Sequence, residues 1–292
     1  MNYKQMTEYF KIQGYTDEQI KRALIFIDNQ EYYQFTNQII EEIVTNVDKT
    51  NENINEMTIN TNQEIVKSLD PLEQLNKGYI NLDYIHNPFN IEMIEKMSKE
   101  EIEIKKKRFT FVTVGRLDKG KNHKLIIDAI RDIDADLWII GDGNLKEELQ
   151  KYIKELSLND KVYLLGKKEN PFAYISKTDC FVFASNHEGF PNVLIEALAC
   201  GLPIISTDCQ SGPREILALN SDVSFQLKDK IELAEYGVLA PIKNVGKLKE
   251  AMDLMINDEQ IRTNYKEKAK QRANDFRIDK IIKQYEEIIC VE

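Results

Sequence analysis

The chain has 292 residues, 42% of them hydrophobic, and a net charge of −10, enough for one large domain or two small ones with a substantial core. No run of 18 apolar residues occurs and Met1–Glu8 lacks the apolar segment of a signal peptide, so a cytoplasmic protein without a transmembrane segment is expected. The acidic surplus falls in residues 1–104, with 9 Lys and Arg against 19 Asp and Glu, which excludes nucleic acid and anionic lipid as natural partners of that part.

The first elements read as helical. Thr16-Asp-Glu-Gln19 forms a capping box, followed by Ile20, Ala23, Leu24 and Ile27 at helix spacing. Between residues 32 and 69, Ile40, Val44, Val47 and Ile54 recur near heptad spacing in a stretch without glycine. Residues 1–83 are therefore expected to form a small all-α region, a helical hairpin or a coiled coil. Residues 84–108 read as a linker. It ends in the basic run Lys105–Arg108, expected to be a solvated approach to a strand.

Residues 109–292 alternate strand and helix patterns, the signature of a Rossmann-like parallel sheet covered on both faces. Strands are predicted at 109–114, 137–140, 162–165, 180–184, 203–206 and 237–240. Helices are predicted at 123–132, 144–156, 171–177, 191–199, 245–257, 259–275 and 278–290. Gly115, Gly141, Gly166 and Glu188 all follow strand ends, where such sheets collect ligands in one crevice. Four cysteines, at 180, 200, 209 and 290, follow no metal-ligand spacing and read as buried reduced thiols.

The loop Gly115-Arg-Leu-Asp-Lys-Gly-Lys121 combines a glycine that permits close backbone approach with Arg116 and Lys121, as a diphosphate site requires. It misses the P-loop pattern because Asn122 stands where Ser or Thr would hold Mg²⁺. Gly141-Asp-Gly143 opens like a dinucleotide fingerprint, but Lys146 occupies the third glycine position. Asp134 and Asp136 form an Asp-x-Asp ahead of a strand, where capping or solvent exposure accounts for them. No metal site is expected.

In Asn186-His-Glu-Gly-Phe-Pro-Asn-Val-Leu-Ile-Glu196 two carboxylates stand eight positions apart, Glu188 in a loop and Glu196 in the second turn of a helix that Pro191 starts and Gly201 stops. Glu196 is expected to reach outward along that helix, whose first amides can meet a phosphate.

This stretch, with Glu196-Ala-Leu-Ala-Cys-Gly-Leu-Pro and Ser211-Gly-Pro-Arg-Glu-Ile behind it, resembles the Glu-x7-Glu region of family 4 retaining glycosyltransferases of GT-B architecture. The resemblance spans roughly residues 84–290, Tyr84-Ile-His-Asn-Pro-Phe-Asn being similar to the family's inter-lobe linker. It implies half of a GT-B fold. It also implies a nucleotide diphosphate sugar donor, expected to be a UDP-sugar, with no cofactor and no metal. Arg116, Lys121 and Glu188 then carry catalysis: the two cations on the diphosphate, the carboxylate on the sugar. Gly115, Lys167, His187, Phe190, Pro191, Asn192, Val193 and Glu196 line the donor, with Glu196 on the ribose hydroxyls and the Gly166–Lys168 turn at the base. For His187 a donor contact and a structural role stay open, as do a pocket role and simple packing for Phe190.

A GT-B enzyme has two comparable lobes, and only about 84 residues precede the linker-like segment, so a second Rossmann-like lobe is not expected there. Two functions follow from the resemblance. One is a hexosyltransferase acting on a glycan acceptor in cell-surface polysaccharide or glycoconjugate synthesis. Its acceptor site would come from a protein partner, from a homodimer through residues 1–70, or from the short helical region itself, a partner holding the chain peripherally at the membrane. The other is a noncatalytic nucleotide-sugar-binding or assembly subunit.

Overall fold

Strand residues that point alternately to opposite faces build a sheet with two apolar layers. The computed structural model describes residues 85–210 and 212–289, with side chains through residue 284; the expected all-α region at 1–83 lies outside them. The chain divides into two units, one of residues 88–280, the other of residues 1–87 with 281–292.

Unit 88–280 contains seven strands, β1 (Thr110–Val114), β2 (Asp136–Ile140), β3 (Val162–Gly166), β4 (Cys180–Phe183), β5 (Ile204–Thr207), β6 (Glu232–Leu233) and β7 (Val238–Ala240). Their order is β3-β2-β1-β4-β5-β7-β6. All neighbours run parallel except the edge pair β6 and β7. Phe111, Leu137, Ile139, Cys180, Val182 and Ile205 face one core layer, and Val112, Trp138, Ile140, Phe181, Phe183 and Ile204 face the other. That period of two, doubled across both faces, is why these strands read as continuous apolar runs.

The helices are α1 (Ile91–Met97), α2 (His123–Ile130), α3 (Lys146–Glu155), α4 (Pro171–Ile175), α5 (Asn192–Ala199), α6 (Gly212–Leu217), α7 (Val245–Asn257), α8 (Glu259–Ala273) and α9 (Ile278–Ile289). Side-chain caps start several of them. Asn90 accepts from Met93 N–H, Asn170 from Ala173, Asn244 from Lys247 and Asp258 from Ile261. α5 ends as its sequence requires, with Gly201 at φ +78° and the Leu202 amide donating to Ala197. Among the described residues no helix is long and apolar enough to cross a membrane.

Several expectations need correction. The segment expected as a linker contains α1, whose Ile91 and Ile94 join the core beside α5 residues. The basic run ahead of β1 is ion-paired rather than simply solvated. Lys106 Nζ lies 2.6 Å from Asp179, while Arg108 bridges Asp136 at 2.7 Å and Asp134 at 3.0 Å. Asp136 is thus buried under a guanidinium instead of capping or facing solvent; only Asp134 is exposed. α6 and β6 appear where no element was predicted.

Candidate functional site

The sheet order reverses between β1 and β4, so the loops leaving these two strands diverge to opposite sides and open a crevice at their carboxyl ends. Three loops meet there through main-chain contacts. The Gly115 amide donates to Ile140, Leu117 to Asp142, Leu145 back to Leu117, and Gly141 to Gly166. Glycine is required at two of these crossings. A Cβ on Gly141, whose φ is +150°, would stand 1.9 Å from the Gly115 carbonyl oxygen, and one on Gly143 would stand 2.5 Å from that of Leu117.

The β1–α2 loop is also tied to the loop after β4. The Asn186 amide donates to the Gly120 carbonyl, the Asn186 side chain to Lys119, and Asn122 Nδ2 to Asn186 Oδ1. Asn122 adopts φ 50°, a left-handed conformation that asparagine tolerates. His123 beneath it is buried, with Nε2 3.1 Å from the Arg116 carbonyl, and burial pushes its imidazole down to about 4. The ring therefore stays neutral and secures the loop.

These ties bring Lys121 and Glu188 together. Lys121 Nζ lies 2.5 Å from Glu188 Oε1, and the Ser185 hydroxyl donates to the same oxygen at 2.6 Å. The ammonium also sits 5.4 Å from the centre of the Phe183 ring. Arg116 extends into solvent, its Nε 3.3 Å from Asp118. Buried Cys209 completes the underside of this cluster: burial first, then the charge of Glu188, pushes its thiol up to about 12.

Glu196 lies in the second turn of α5, as expected. It is half-buried, and burial pushes its carboxyl up to about 7. Among the described residues no hydrogen bond or ion pair joins it to Arg116, Lys121 or Glu188. The remaining predicted positions lie around the same loops. Lys167 and His187 are exposed, Asn192 is exposed in the first turn of α5, and Val193 is half-buried. Pro191 is the N-cap of α5, one place earlier than expected, and offers no side-chain acceptor to its amides. Phe190 packs at 5.5 Å against Phe276.

A buried ion cluster fixes the far wall. Arg214 on α6 holds Asp208 with two bonds, at 3.0 and 2.7 Å, and Glu232 of β6 at 2.9 Å. Gly212 at the start of α6 lies directly against the loop of Glu188, since a Cβ there would stand 2.3 Å from the Gly189 oxygen. The Glu188 amide donates to Gln210 at 3.2 Å. Sequence reasoning missed Ser185, Asn186, His123 and the Asp208–Arg214 pair. The nearness of Ser185 and Asn186 to Glu188 was the available signal for the first two.

The described residues thus form a doubly wound α/β lobe with Lys121, Arg116 and Glu188 at its switch point. The chain belongs to the glycosyl transferases group 1 family, whose model matches residues 95–272. A glycosyltransferase of Methanocaldococcus jannaschii, named as uncharacterized, is 37% identical over 70% of this chain and 56% of its own length. The N-acetylgalactosamine-N,N'-diacetylbacillosaminyl-diphospho-undecaprenol 4-alpha-N-acetylgalactosaminyltransferase of Campylobacter jejuni is 40% identical over 66% of this chain and 49% of its own length. The chain thus spans about half the length of these relatives. The fold is that of GT-B structures: HepE of Anabaena in complex with UDP superposes with a TM-score of 0.58 at 21% identity, covering 71% of this chain and 57% of that one.

Proposed function

We propose that residues 88–280 form the donor-binding lobe of a family 4, retaining glycosyltransferase that moves a hexose or N-acetylhexosamine from a UDP-sugar to a glycan hydroxyl in cell-surface polysaccharide or glycoconjugate synthesis. The observation that carries this reading is the Lys121–Glu188 contact at the switch point, with Arg116 on the same loop. An ammonium has three N–H donors, and Glu188 takes one, leaving two for phosphate oxygens. The guanidinium of Arg116, on the same loop, extends into solvent near Asp118. Together they neutralise charge as the sugar leaves and the diphosphate develops its negative charge, without metal participation in this reading. Glu188 takes hydroxyls of the sugar and Glu196 those of the ribose. The leaving diphosphate helps deprotonate the acceptor on the same face. The acceptor site comes from a partner chain, a dimer mate or residues 1–70, and a partner holds the cytoplasmic chain at the membrane.

A second reading of the same donor site is a noncatalytic subunit that binds nucleotide sugar. Calorimetry separates the donor site from alternatives. The full chain binds UDP, and Glu196→Ala weakens UDP by about 1 to 3 kcal/mol, the range for hydrogen bonds to a charged group. Failure of the folded wild type to bind UDP or any UDP-sugar, alone or with its partner, refutes the assignment. Donor hydrolysis or transfer by the chain distinguishes enzyme from subunit.

A further inference from the structure

Both oxygens of Glu188 are present at the crevice, but they are not equivalent. Oε1 receives the Lys121 ammonium at 2.5 Å and the Ser185 hydroxyl at 2.6 Å. Oε2 takes no hydrogen bond from the described residues, and it is not among the sealed unpartnered atoms, of which His123 Nδ1 is the one found. It therefore meets solvent. Ser185 itself has almost no freedom. It is 1% exposed, follows directly on β4 and Ala184, and its carbonyl accepts from Thr207 Oγ1 at 2.7 Å. Its hydroxyl oxygen lies 3.1 Å from the Gly120 carbonyl and 3.3 Å from that of His187. A hydroxyl carries one proton, and the shortest of the three contacts, to an ionised acceptor, is the strongest claim on it.

We propose that Ser185 is a positioning residue that, with Lys121, saturates one oxygen of Glu188 and so aims the other at a hydroxyl of the donor sugar. This rests on the reading of Glu188 as the sugar contact. A carboxylate free to rotate presents either oxygen in many orientations; one anchored through Oε1 presents Oε2 in a single direction, which is the preorganisation that discriminates one hydroxyl configuration from another. Lys121 alone does not supply this, because its ammonium also serves the diphosphate and sits on a flexible stem. Ser185 lies on the end of a core strand and acts on the sugar half of the site only.

The test is calorimetric titration of the full-length chain with UDP, UDP-glucose, UDP-galactose, UDP-N-acetylglucosamine and UDP-N-acetylgalactosamine. Ser185→Ala is expected to change UDP affinity by less than about twofold and to weaken the best-bound UDP-sugar about 10- to 150-fold, the range of one hydrogen bond to a charged group. Ser185→Thr, which keeps the hydroxyl, restores most of it. In a Glu188→Ala background the Ser185→Ala change has no further effect on UDP-sugar affinity, since nothing remains to be aimed. The inference is overturned if Ser185→Ala weakens UDP and UDP-sugar alike, or if its effect adds fully to that of Glu188→Ala, while wild-type UDP binding persists. Absence of wild-type UDP and UDP-sugar binding overturns the donor-site reading along with it.

Discussion

Replacing Glu196 by glutamine should stabilise the ligand-free protein, and the gain should depend on pH. Burial raises this carboxyl from 4.5 to about 7. At about 1.4 kcal/mol per tenfold change in proton affinity, ionising it in the folded lobe costs about 3 kcal/mol. The side chain keeps some contact with solvent, which lowers the expected penalty to about 2 kcal/mol. The sign follows from linkage. Below pH about 4.5 the group is protonated in folded and unfolded chains and there is no penalty; it grows between 4.5 and about 7 and is complete above about 7. Glutamine keeps the shape without the charge. Thermal melts of wild type and Glu196→Gln should therefore differ by roughly 4 to 8 °C near pH 8, for a domain of about 200 residues. Near pH 5.5 the gap should fall to about half. A gap of constant size across this range, or a glutamine variant less stable near pH 8, would falsify the reasoning.

Two further outcomes follow from packing. Arg214→Ala leaves Asp208 buried without its guanidinium and should destabilise the fold by about 3 to 5 kcal/mol in urea denaturation; Arg214→Lys should recover little, because an ammonium cannot make the paired contacts. An unfolding free energy within about 1 kcal/mol of wild type would show the cluster to be dispensable. Gly212→Ala places a methyl against the Gly189 carbonyl and Pro191 Cδ and should cost about 1 to 3 kcal/mol. It should also displace the Glu188 loop, so an unchanged melting temperature together with unchanged UDP-sugar affinity would contradict the close approach.

Much of the lobe was legible because its strands are buried on both faces and its helices carry local start and stop signals. β1, β2, β4 and β5 are short apolar runs between turn residues, and α7 was predicted from its apolar spacing with its observed ends, which the structure shows to be capped by Asn244 and Asp258. What escaped has physical causes. β6 is two residues on an edge, too short to show a period. α6 begins with Gly212-Pro213, a pair that usually signals a turn, and it persists because Arg272 of α8 donates to the terminal carbonyls of Glu215 and Ile216. α1 lies in a stretch read as linker by resemblance, although Asn90 and Ile91, Ile94 gave a capped amphipathic turn. In the site, composition and spacing pointed to the Lys121 and Glu188 loops, but Ser185 gained meaning only once β4 and β1 stood side by side. The partial burial of Glu196 depends on what covers α5, which no local pattern reports.

The crossings at Gly115, Gly141, Gly143 and Leu117 are made of peptide groups, so the mouth of the crevice is braced without help from the side chains displayed around it. Arg116, Lys119 and Asp142 all project from this braced backbone into solvent. Exchanging such residues costs little stability. Lys119 and Asp142 can therefore change while the underlying chain path stays put, whereas a side chain introduced at the glycines beneath them should displace it.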